Sequence, residues 1–169
     1  MTKFLLILHV LAAVLTVGPV TVAASMFPKY LRQANSSPVV ADAGPTTGAG
    51  APALESPAST LGILHRICRA YAVIGVSVPL FGFATASSLG VLGSGWLIVS
   101  ILLTAAAAAV LAVFILPAQE TALDAVRGSG TPPSPRTAGR LAALTGVFNL
   151  LWATVTVLMI IRPGSTTGE

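Results

Sequence analysis

Residues 70–119 read AYAVIGVSVPLFGFATASSLGVLGSGWLIVSILLTAAAAAVLAVFILPAQ, a run of 50 residues without a single Asp, Glu, Lys or Arg. At about 1.5 Å per residue one helix of that length would be far longer than the roughly 30 Å hydrocarbon core of a bilayer. The run must therefore turn once. The turn is legible at Gly90-Val91-Leu92-Gly93-Ser94-Gly95, just ahead of Trp96, because glycine clusters punctuate helices. One further block lies on each side: 25 uncharged residues from Phe4 to Pro28, and 21 from Leu141 to Ile161. Each is long enough for one crossing. The pattern predicts an all-α integral membrane four-helix bundle, with helices at about 4–27, 69–90, 95–117 and 140–161, in a single membrane domain spanning 1–169.

Composition agrees. The 169-residue chain is 54% hydrophobic and 8% charged, with mean hydropathy +0.89. Soluble domains carry about 25% charged residues and concentrate them on their surface. A water-soluble enzyme is excluded on these grounds. The net charge of +4 does not indicate nucleic acid, since the bases are scattered around the apolar blocks rather than clustered among stacking aromatics. Cys68 is the only cysteine, which excludes an internal disulfide and any multi-cysteine metal site. It reads as a small apolar residue near a helix start.

The segments between the spans have a different chemistry. Residues 33–59 and 120–139 are rich in Pro, Gly, Ala, Ser and Thr, and lack the large apolar residues that offset ordering entropy. They are expected to be flexible loops. Seven bases, Lys29, Arg32, Arg66, Arg69, Arg127, Arg136 and Arg140, fall on their side; two, Lys3 and Arg162, fall on the other. Retention of positive charge in the cytoplasm places both loops there and both termini outside. A cleaved signal peptide is the alternative reading of the first block, with Val22-Ala23-Ala24 before Ser25 as its cleavage site. The length of the apolar stretch and the bases Lys29 and Arg32 favour a retained span.

Membrane helices associate through small residues and polar contacts, and each span offers such a stripe. The first carries His9, Ala13, Thr16, Val20 and Ala23; the second Gly75, Pro79, Gly82 and Ala86; the third Ser100, Thr104, Ala108 and Ala112. On the fourth, Thr145, Asn149, Trp152 and Thr156 share one face. These are expected to be helix-packing or partner-facing positions. Trp96 and Tyr30 read as interfacial anchors.

No span holds an ionisable Asp, Glu, Lys or Arg in its interior, where each costs about 2.5–3.5 kcal/mol and marks function by default. No catalytic residue, nucleophilic triad or phosphate loop is legible. The five acids, Asp42, Glu55, Glu120, Asp124 and Glu169, are expected in loops or the tail. No cofactor or metal site is expected either. His9 and His65 differ in depth by more than about 20 Å along their helices, so one iron cannot take both. His9 alone is a weak candidate for haem or copper.

The opening Leu8-His9-Val10-Leu11-Ala12-Ala13, followed by Val17-Gly18, resembles the first helix of a family of small bacterial predicted integral membrane proteins of unknown function. The layout of four spans with a polar loop after the first is similar as well. The resemblance implies a multi-pass protein of the bacterial plasma (inner) membrane, without an assigned reaction. The expected role is that of a non-catalytic accessory or structural subunit, its partners the lipid bilayer and other membrane subunits or copies of itself. No nucleic acid and no small-molecule substrate is expected. A channel or carrier for a neutral solute lined by Ser100, Thr104, Thr145 and Asn149 is the alternative.

Reporter fusions at each end of the full chain are expected to read from outside the cytoplasm. Two cytoplasmic readings would reverse the sidedness, and opposite readings would break the even number of crossings.

Overall fold

The computed structural model describes residues 2–36, 56–128 and 134–163. Among them the chain is all helical: α1 (Thr2–Ser36), α2 (Pro57–Ile74), α3 (Ser77–Leu89), α4 (Gly95–Ala109), a π-helical turn (Val110–Ile115), α5 (Leu116–Val126) and α6 (Pro135–Ile161). α2 with α3, and α4 through α5, each make one long helix, so four helices are long and apolar enough to cross a membrane. The protein is a four-helix bundle whose helices have the length and apolarity of membrane spans.

Local chemistry accounts for the helix ends. Ser56 caps α2 by accepting the Ser59 N–H at 3.2 Å, and Pro57 follows at the first helical position, where its missing N–H costs nothing. Gly90 ends α3 with φ +67°, and the Val91 N–H reaches back to the Ala86 carbonyl at 3.2 Å. Only glycine takes up that left-handed conformation without strain. Arg162 ends α6 with φ 46°, its N–H on the Leu158 carbonyl at 3.0 Å. Its guanidinium lies 5.8 Å from the centre of the Trp96 ring, a cation–π contact that ties the end of α6 to the start of α4.

Two interior irregularities follow from proline. Pro79 has no N–H to give the Gly75 carbonyl, and the chain bends at Gly75–Val76. There the Val78 N–H takes that carbonyl at 3.1 Å and the Val76 N–H bonds the Val73 carbonyl at 3.2 Å. Pro117 likewise removes the donor for the Val113 carbonyl, and the ladder before it widens to the π-helical turn, with the Leu116 N–H on the Leu111 carbonyl.

α1 is the spine, packing on α2, α3 and α6, while α4 packs on α6 and α2 on α5. The largest apolar cluster lies toward the long-loop end. It brings together Phe27 and Leu31 of α1, Leu61, Leu64 and Cys68 of α2, Ala122 and Leu123 of α5, and Ala138 and Leu141 of α6. A second cluster at mid-span joins Val20, Ala107, Leu111, Ile115 and Phe148. Elsewhere large apolar side chains face outward, Phe4, Val14, Phe83 and Ile160 among them, as lipid-facing positions do.

The helices run past the expected boundaries at the long-loop end. Residues 33–36, 57–59, 120–126 and 135–139, read from composition as loop, are helical, and so Glu120 and Asp124 stand on α5 rather than in a loop. The cause is amphipathicity: along these helix ends Leu31, Leu61, Leu64, Ala122, Leu123, Ala138 and Leu141 are buried in the large cluster, while Lys29, Arg32, Arg66, Arg69, Glu120, Asp124 and Arg140 stay exposed. The rest of the expected loops, 37–55 and 129–133, with Asp42 and Glu55, lies outside the described residues, as does Glu169.

Phe27, 0% exposed, and Phe83, 61% exposed, differ only in what surrounds the ring. Phe27→Ala is expected to cost about 3–5 kcal/mol and Phe83→Ala about 0.5 kcal/mol, read by thermal unfolding in detergent.

Candidate functional site

At the terminus end His9 of α1 meets α3. Its Nδ1 lies 2.9 Å from the Val78 carbonyl oxygen; a carbonyl only accepts, so Nδ1 carries the hydrogen. The ring sits in a notch provided by Gly82, where an added Cβ would come within 2.9 Å of His9 Cε1. Gly82 and His9, singled out separately in the sequence, form one interlocking contact.

At the opposite end His65 Nδ1 lies 3.3 Å from Gln119 Oε1, and Gln119 Nε2 donates toward Cys68 Sγ at 3.7 Å. Gln119 and Cys68 are fully buried. Gln119 is the site residue that the sequence reading passed over. Its signal was present, since Leu111, Ile115, Gln119 and Ala122 step by four, four and three and all are buried. His9 and His65 thus serve different contacts at different ends. Among the described residues, no group of three or more His, Cys, Asp or Glu side chains is arranged to hold a metal ion.

The polar face of α6 divides. Thr145 donates to the Ala24 carbonyl at 3.4 Å and Asn149 Nδ2 to Ser25 Oγ at 3.4 Å, joining α6 to α1. Asn149 Oδ1 is buried with no hydrogen-bond partner among the described residues. Trp152 packs edge-on against Phe148, ring centres 6.4 Å apart. Thr156 is exposed and bonds back to the Trp152 carbonyl at 2.9 Å. On α4 Ser100 is buried and Thr104 half-buried, each bonded at 2.8 Å to the carbonyl four residues before it. Ala108 and Ala112, placed in the same stripe by spacing, are exposed. Leu97, Ser100, Ala107 and Leu111 form the buried line instead. Of Ser100, Thr104, Thr145 and Asn149, Thr104 alone is among the residues lining the cavity between the helices.

Between the helices lies a partly open cavity of about 150 Å³ at the middle of the spans. α1 contributes Thr16, Val17 and Val20; the α2–α3 bend contributes Tyr71, Ala72, Gly75, Val76, Val78 and Pro79; Thr104, Ala108 and Leu111 come from the third span, Phe148 and Trp152 from α6. Both interior irregularities border it. That fits the rule that disrupted backbone at membrane depth is tolerated where protein buries it or a cavity receives it, and π-helical turns often mark functional sites. Among the described residues, no carboxylate, histidine, lysine or arginine is found in its walls. The hydroxyls of Thr16 and Thr104 are taken by the carbonyls of Ala12 and Ser100 on their own helices. No protein-family model, curated protein or solved structure matches the chain.

Gly82→Val is expected to destabilise the protein by about 1–3 kcal/mol through collision with the imidazole. Adding His9→Ala should recover most of that loss in thermal unfolding. A double variant no more stable than Gly82→Val alone would show that the two residues do not interlock.

Proposed function

We propose that this protein is a non-catalytic accessory subunit that packs laterally against another protein in the plasma membrane, with both termini outside the cytoplasm. The observation that carries this reading is the outer face of α6. Gly139, Ala142, Ala143, Gly146 and Ala153 are all exposed there, and a Cβ added at Gly139 or Gly146 would meet nothing within 4 Å. Lipid tails are as apolar as leucine, so exposed glycine and alanine gain little from lipid; they let a neighbouring helix backbone approach closely. Sidedness rests on the excess of bases at the long-loop end, and the bacterial setting on the resemblance of the first helix.

Extraction of the tagged full chain in mild detergent, followed by mass spectrometry of what accompanies it, tests the proposal. A stoichiometric membrane partner is expected, and Gly146→Leu should weaken its recovery about tenfold, equivalent to about 1.4 kcal/mol. Phe83→Ala, on a lipid-facing part of α3, should leave recovery unchanged. A lone monomer in every detergent that preserves the fold would remove the proposal.

A further inference from the structure

The mid-span cavity has two properties that together point to a ligand. First, it is open sideways. α3 and α4 both line it, yet they are not packed against each other along their lengths, and the lining residues Val76, Pro79 and Ala108 are exposed. Second, two of its lining residues bring unpaired donors. Neither the Tyr71 hydroxyl nor the Trp152 indole N–H bonds to another described residue, and neither is sealed away from the surface. A donor in hydrocarbon without an acceptor costs on the order of kilocalories per mole. Most of the remaining wall is apolar, and an apolar cavity of about this size stays dry and accepts a benzene-sized ring.

We propose that this cavity binds a lipophilic ring bearing carbonyl oxygens, of the quinone type, which enters from the bilayer between α3 and α4. Its carbonyls accept from Tyr71 and Trp152, and its ring lies against the Phe148–Trp152 pair. A phospholipid fits less well. At mid-span its acyl chain carries no acceptor, since the ester carbonyls sit about 15 Å away at the edge of the hydrocarbon. The site is independent of the outer face of α6, so the proposal stands or falls separately from the assembly role.

Trp96 and Trp152 are the only tryptophans, so Trp96→Phe leaves Trp152 as the sole reporter. The test titrates this full-length protein in detergent with tetramethyl-1,4-benzoquinone, whose substituted ring has no free position for thiol addition, and reads quenching of Trp152 emission. Saturable quenching is expected. Tyr71→Phe should weaken the midpoint about fivefold, the size of one neutral hydrogen bond, and Ala108→Leu should abolish saturation by filling the mouth. Tetramethylbenzene, with the same methyl groups and no carbonyl, should compete at least about fivefold more weakly. This last arm needs no variant in the cavity, so a misfolded Ala108→Leu protein does not compromise it. Quenching that rises linearly and equally in every variant would reveal partition into the micelle alone and overturn the site. Equal competition by tetramethylbenzene, or an unchanged midpoint in Tyr71→Phe, would overturn the carbonyl assignment.

Discussion

Hydrocarbon supplies no hydrogen bonds, and the rest of this structure depends on that constraint. Each backbone N–H and C=O inside the spans must find its partner within the chain, which makes helices obligatory and makes every proline a local problem. At Pro79 the problem is solved by bending at Gly75–Val76 and handing the orphaned carbonyl to Val78. At Pro117 it is solved by widening the ladder upstream into a π-helical turn. The two solutions face the same space, and the cavity lies between them. A fold built from four straight helices would have had less reason to leave room there.

Much of the architecture was legible in the sequence because the same constraint writes itself into composition. Unbroken uncharged runs gave the four crossings, and the Gly90–Gly95 cluster gave the turn that Gly90 makes with its left-handed backbone. The helix ends near the long loops were not legible from charge. Residues 57–59 resemble loop by composition, yet they open the helix on which Leu61, Leu64 and Cys68 form a buried stripe. Charge marks where an apolar run ends, whereas a helix continues as long as one face can be buried.

The site was less accessible. His9 and Gly82 stood out individually as a polar residue and a small one, but nothing in a linear pattern pairs positions 73 residues apart. Their contact required the register between α1 and α3. Thr145 and Asn149 were placed on a shared face by spacing, and the structure puts both against α1. Trp152, three residues further along, turns to the cavity instead. The cavity itself arises from the bend and the widened turn, whose directions depend on tertiary packing rather than on the local sequence.

The five-residue connection 90–94 spans the top of the gap between α3 and α4 like a lintel. Water on that side meets the connection and the Trp96–Arg162 clasp nearby, while the bilayer meets the opening itself. Whatever lodges at mid-span therefore arrives by two-dimensional diffusion. Its occupancy follows its mole fraction among the lipids, so a compound scarce in water but strongly partitioning is presented to this protein at high effective abundance.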